Sequence, residues 1–159
     1  MSFKKFALVA SVFALAACGG SSESAPAAEE TAAAPAVETA PAAAAAVTGT
    51  THEIKMLGDE KGYRYEPANL TVKAGDAVKF VFVSGGPHNV AFEGATLSAD
   101  VSKQLDANFS AKMAPLSSNM MLNAGESVTV SFAGIPAGQY PYNCTPHLAM
   151  GMKGVITVQ

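Results

Sequence analysis

The sequence predicts an all-β fold, an antiparallel β-sandwich over residues 50–159, with one short helix inside it. Three observations carry that expectation. About seven short stretches alternate apolar and polar residues with a period of two, as strands with one buried face do. Gly, Pro, Asn and Asp recur between them as turn residues. Only Ser98–Ala107 departs from the pattern, with Val101, Leu105 and then Phe109 at three- to four-residue spacing.

The strands follow in order. His52–Leu57 alternates and is ended by the turn signals Gly58-Asp59 and Gly62. Tyr65-Glu66-Pro67-Ala68 reads as a bend leading into Asn69–Val72. Ala74-Gly75-Asp76 turns the chain into Ala77–Val83, whose Val and Phe content suits a half-buried strand. Asn89–Phe92 follows a Gly-Gly-Pro break. Asn123–Glu126 leads into Ser127–Phe132, which alternates cleanly, and Gln139–Cys144 and Gly154–Val158 close the set. Ser98 is placed to cap a helix over 98–107. Ser110–Met121, rich in Met and Ser, is expected to be an irregular loop. No internal repeat is visible.

The first 49 residues are expected to stand apart from this domain. Lys4 and Lys5 precede an apolar run, Phe6–Ala17, of signal-peptide length and too short to span a bilayer. Residues 1–17 therefore read as a signal peptide. The run ends in Leu15-Ala16-Ala17-Cys18-Gly19, which resembles a bacterial lipobox with Cys18 as the lipidated residue; a plain secretory signal is the alternative. Either way the protein is exported. Ser21–Ala46 is almost entirely Ala, Pro, Ser, Thr and Glu, and Val37 is its one β-branched aliphatic residue. Such a segment buries too little apolar surface to offset its ordering entropy. Residues 18–49 thus read as a lipid-anchored tether holding the domain outside the membrane, in the periplasm or extracytoplasmic space. Net charge is −3 for the whole chain, and from Thr50 onward eight basic residues face nine acidic ones without a basic cluster. No nucleic-acid partner is expected.

The chemistry lies near the C-terminus. The chain has two cysteines, Cys18 and Cys144. If Cys18 carries lipid, Cys144 has no disulfide partner, and a free thiol in an oxidising compartment is a liability unless a metal occupies it. Cys144-Thr145-Pro146-His147-Leu148-Ala149-Met150-Gly151-Met152 offers a thiolate, an imidazole and thioethers, and His88 follows Gly85-Gly86-Pro87 far upstream. Thiolate, two imidazoles and a weak thioether form the donor set of blue-copper electron-transfer sites. The thiolate spreads the transferring electron onto sulfur, the imidazoles suit both oxidation states, and the weak thioether tunes the potential. Singly, each residue has an ordinary reading: a buried Cys as a small hydrophobe, a surface His, Met as core filler. Jointly, the spacing Cys-x-x-His-x-x-x-x-Met between strands is rare by chance. A structural zinc site fits poorly with a thioether donor. Multicopper enzymes need further His ligands, and only His52 is left, itself expected on the surface, so no enzyme is expected.

These residues resemble the cupredoxins, the type 1 blue copper proteins, in their plastocyanin and pseudoazurin branches. Cys144-Thr145-Pro146-His147 with Met150-Gly151-Met152 resembles their ligand loop, Gly86-Pro87-His88-Asn89-Val90 their upstream ligand segment, and Glu66-Pro67 through Leu70–Asp76 their early strands. The likeness covers roughly residues 52–159. It implies a Greek-key sandwich and one copper ion per chain, cycling between Cu(I) and Cu(II). It also implies the ligands His88, Cys144, His147 and Met152, the axial Met lying eight residues after the Cys. Met150 falls at a surface position. Asn89 would hydrogen-bond across to the other ligand loop, and Pro146 would remove an N–H that could otherwise reach the thiolate. The implied function is single-electron shuttling by a monomer. Its partners would be transient redox proteins, a cytochrome or a membrane oxidoreductase, docking near His147.

Two departures matter. His88 and Cys144 lie 56 positions apart, farther than in the family, with the excess expected in an insertion over 96–121 that carries the short helix. Asn143 stands where plant plastocyanin has an exposed Tyr, so electrons are expected to pass at the His147 edge, among Pro87, Leu148, Ala149, Met150 and Gly151. Met113, Pro115, Met120 and Met121 either extend that patch or pack the loop. The alternative function is a periplasmic copper carrier or scavenger with Met113, Met120, Met121 and Met150 as extra Cu(I) contacts.

Overall fold

Alternation along the chain becomes ten strands, one helix and two 3-10 turns in the computed structural model, which describes residues 42–159. The expected signal peptide, the Cys18 lipid site and the tether as far as Pro41 lie outside the described residues. The strands are β1 (Thr51–Asp59), β2 (Gly62–Glu66), β3 (Asn69–Val72), β4 (Ala77–Phe82), β5 (Ala91–Phe92), β6 (Lys112–Ala114), β7 (Ser117–Ser118), β8 (Ser127–Ser131), β9 (Gly138–Asn143) and β10 (Lys153–Val158). Helix α1 spans Ala99–Ala107. One sheet has the order β2-β1-β4-β8 and the other β3-β10-β9-β5-β7-β6.

The pairing is not antiparallel throughout. β1 runs parallel to β4, with Ile54 opposite Phe80, and β10 runs parallel to β3, with Ile156 opposite Leu70. The cause is the crossing between sheets. After β2 the chain leaves to build β3 in the second sheet, then returns to lay β4 against the free side of β1.

Inward residues of both sheets form one core. Ile54 and Met56 of β1, Val78, Phe80 and Phe82 of β4, Tyr140 and Tyr142 of β9, and Ile156 and Val158 of β10 are all buried. Tyr65, Phe80 and Tyr142 meet edge to face with ring centroids 4.7–6.0 Å apart, the geometry aromatic quadrupoles favour. Both tyrosine hydroxyls find acceptors, Tyr142 in the Ala68 carbonyl (2.9 Å) and Tyr65 in the Asn89 carbonyl (2.7 Å). The second bond runs from the core to the residue beside His88.

The expected helix forms, with the Ser98 hydroxyl accepting from the Val101 N–H and Leu105 buried beneath. The expected loop over 110–121 does not stay irregular. It contains β6 and β7, which extend the second sheet through Ala91 opposite Ser117. Strands of two and three residues are too short to alternate, so their pairing left no periodic trace in the sequence.

Chain direction separates the two ends of the sandwich. The start of β4 is capped by Asp76, whose carboxylate accepts the Thr50 N–H (2.8 Å), the Lys73 N–H (3.0 Å) and His52 Nε2 (2.9 Å). These bonds, that of Lys73 foremost, hold the carboxyl down at about 2. His52 is therefore a half-buried partner of Asp76, not a free surface histidine. Upstream residues lie on the same end: the Thr48 and Gly49 N–H groups donate to the Gly75 carbonyl, and the Ala45 N–H to Asn108 Oδ1. The other end of β4 leads directly to His88.

A candidate metal centre at one end of the sandwich

Two loops meet at that end. His88 sits between β4 and β5, and Cys144, directly after β9, and His147, in the 3-10 turn Thr145–Met150, share the connection to β10. The turn is held by the His147 N–H donating to the Cys144 carbonyl (3.1 Å). Gly151 (φ 82°) reverses it in the left-handed region that suits glycine. The Met152 N–H donates to the His147 carbonyl (3.2 Å), and the Cys144 N–H to the Met152 carbonyl (3.0 Å). The loop thus folds Cys144, His147 and Met152 onto one another through its own backbone. His88 is fixed from outside by two bonds with Met121, N–H to carbonyl in each direction (3.0 and 2.8 Å).

Cys144 Sγ lies 3.6 Å from His88 Nδ1 and 3.4 Å from His147 Nδ1, and the three donor atoms fall within 4.8 Å of one another. Metal bonds of about 2.0 Å to nitrogen and about 2.3 Å to sulfur, at angles of about 110–120°, put such atoms about 3.5–3.7 Å apart. The residues therefore fit one shared ion. His88 Nε2 is engaged with the Ser84 carbonyl (2.9 Å), which assigns the proton to Nε2 and leaves Nδ1 free to bind. Burial lowers the proton affinity of both imidazoles, so they stand neutral and metal-competent at pH 7. Burial pushes the Cys144 thiol up, while N–H groups of Asn89 and His147 pull the other way. A metal entering must displace that proton, so binding is coupled to pH.

The other residues that the sequence singled out lie as follows. Met152 is fully buried beside Cys144, whereas Met150 is 60% exposed. The Asn89 side chain accepts the Thr145 N–H (2.8 Å) and donates to Thr145 Oγ1 and Ser117 Oγ (both 3.1 Å), so it ties the His88 loop to the Cys144 loop and to β7. Pro146 is exposed at the start of the 3-10 turn. Of the apolar residues expected around His147, Leu148 and Met150 are exposed, with Pro87 and Ala149. Met113 is exposed and Met121 is buried. His52 belongs to the opposite end and takes no part.

Sequence reasoning missed Tyr63 and the Ser84 carbonyl. Tyr63 stacks flat on His147, with ring centroids 3.7 Å apart and planes 16° from parallel. A main-chain carbonyl has no residue signature, and a contact between β2 and a loop 84 positions later has no local spacing to reveal it.

A β-sandwich with a buried cysteine sulfur and two imidazole nitrogens at one end points to a class, the mononuclear copper proteins. Comparison with known proteins agrees. Residues 52–159 match the family described as copper binding proteins, plastocyanin/azurin family. Plastocyanin of Nostoc punctiforme is 37% identical over 72% of this chain and 78% of its own length. A chloroplastic plastocyanin of Tetradesmus obliquus is 37% identical over 72% of this chain and 71% of its own. The solved structure of oxidized plastocyanin from Dryopteris crassirhizoma aligns with a TM-score of 0.53 at 28% identity, over 68% of this chain and all of that one. The chain belongs to the plastocyanin/azurin family of copper-binding proteins, which are electron carriers and not enzymes.

Proposed function

We propose that this protein shuttles single electrons between redox partners outside the cytoplasm, using copper held by His88, Cys144 and His147 with Met152 as the weak axial donor. The observation that carries the ligand assignment is the approach of both Nδ1 atoms to the buried Cys144 sulfur. Copper supplies the one-electron couple when bound. The chain supplies a cage whose donor-bearing residues are held by backbone and side-chain hydrogen bonds, which keeps rearrangement on electron transfer small. Burial supports Met152 over Met150 as the axial donor. Met121, one of four methionines that a copper-handling role would use, is buried and paired with His88, which favours the carrier.

The exposed apolar residues Pro87, Leu148, Ala149 and Met150 around the nearly covered His147 suit brief docking with a cytochrome or membrane oxidoreductase over a small area. Export by the 1–17 signal and lipidation at Cys18 would place this monomer at the cell envelope. Exchange of single residues tests the ligand set. Cys144→Ser should abolish the visible thiolate-to-copper band, and Met152→Leu should keep the colour while raising the reduction potential. A potential that moves with Met150→Leu and not with Met152→Leu contradicts the axial assignment.

A further inference from the structure

The two imidazoles are oriented by different means. His88 is held at its far nitrogen by the Ser84 carbonyl and along its backbone by Met121. Among the described residues no hydrogen bond is made by Nε2 of His147. Its ring is instead covered by the face of Tyr63.

That contact is built into the hairpin of β1 and β2. Tyr63 pairs across the strands with Gly58. A Cβ at Gly58 would stand 2.7 Å from a Tyr63 ring carbon, so the ring lies across a strand position that only glycine leaves open. Gly58 in turn packs against Gly85, where an added Cβ would meet the Gly58 Cα at 2.3 Å. The Gly58 N–H donates to the Ser84 carbonyl (2.8 Å), the same oxygen that engages His88. Arg64 closes the hairpin with two bonds to Asp59 (2.7 and 3.0 Å). One hairpin thus reaches both imidazoles, His88 through Ser84 and His147 through Tyr63.

We propose that Tyr63 is the positioning residue for His147: the face of its ring, not its hydroxyl, holds the imidazole plane so that Nδ1 stays directed at Cys144 Sγ in both oxidation states. This rests on the reading of His147 as a ligand. Stacking of this kind changes the population of the held ring by about three- to tenfold. An imidazole released by that factor adds ring motion to each electron transfer and slows it.

Three variants test the role: Tyr63→Phe keeps the flat face, Tyr63→Leu keeps apolar bulk without it, and Tyr63→Ala removes both. In the metal-free protein, the His147 ring protons should be shifted upfield by the Tyr63 ring current in NMR spectra of wild type and Phe, and not in Leu or Ala. In the reduced copper-loaded protein, the same protons should be sharp in wild type and Phe and broadened by exchange in Leu. Self-exchange of electrons should fall about three- to tenfold in Leu and stay within twofold in Phe. Should Ala fail to fold, the comparison of Leu with Phe decides alone. Leu with sharp His147 resonances and wild-type self-exchange overturns the role of Tyr63, as does Phe behaving like Leu. Wild-type protein that takes up copper without an intense visible thiolate band overturns the ligand reading instead.

Discussion

At the scale of single residues, the site divides into donors and the groups that aim them. The proposed donors stand out in the sequence because their chemistry is intrinsic: a thiol, two imidazoles and a thioether at loop positions bounded by Gly and Pro. Choosing between Met150 and Met152 needed the family likeness, and burial now supports the same choice. Of the aiming groups, Asn89 was expected and Tyr63 and Ser84 were not. Asn89, at a buried position, ties the two ligand loops through two side-chain hydrogen bonds to Thr145 and reaches β7 through a third to Ser117. Asn89→Ala leaves the Thr145 N–H without its acceptor, so the metal-free domain should lose about 1–3 kcal/mol. Urea denaturation measures that loss, and a chelator competition assay should show faster copper release from the variant. An unchanged midpoint and release rate would mean that the bridge holds nothing.

Among elements, most strands could be read from their apolar pattern, whereas β2, read as a turn and a bend, and the short β6 and β7 could not. β4 and β8 alternate over five or six residues, enough for period two to show. β6 and β7 have three and two residues and exist because β5, itself paired with β9, offers β7 an edge and β7 in turn pairs β6. The boundary of the tether was equally hidden. Composition alone set it at residue 49, yet Ala43, Ala45, Thr48 and Gly49 are hydrogen-bonded to the domain, because their backbone polar groups find partners that composition does not report. Asn108 is the hub of that attachment. Its Nδ2 donates to the Ser131 and Ala133 carbonyls, and its Oδ1 accepts from the Ala45 N–H and Gln104 Nε2. It therefore joins the end of α1, the end of β8 and the incoming chain. Asn108→Ala strands buried carbonyls and should cost at least about 2 kcal/mol. Limited proteolysis should also show earlier cleavage near residue 45, and equal cleavage rates would contradict the hub.

Viewed whole, the molecule keeps its titratable anchor and its donor cluster at opposite ends of the same strand, Asp76 before β4 and His88 after it. The Asp76 carboxyl sits at about 2 in the folded chain, below its value of about 3.9 when unfolded. The unfolded state binds the proton first as pH falls. The stabilisation is thus complete above about pH 4 and lost between about 4 and 2. Denaturation midpoints of the metal-free domain should drop over that window in wild type and drop less in Asp76→Asn. The central claim concerns the other end, where one thiolate and two imidazoles converge on a single ion. Its most direct test is the electron paramagnetic resonance spectrum of the domain carrying one equivalent of Cu(II). A covalent thiolate bond at a distorted site draws spin onto Cys144 sulfur, so the parallel copper hyperfine splitting should be small and should accompany an intense visible band. A wide splitting, like that of Cu(II) in a square nitrogen and oxygen environment, would show that Cys144, His88 and His147 do not share the ion.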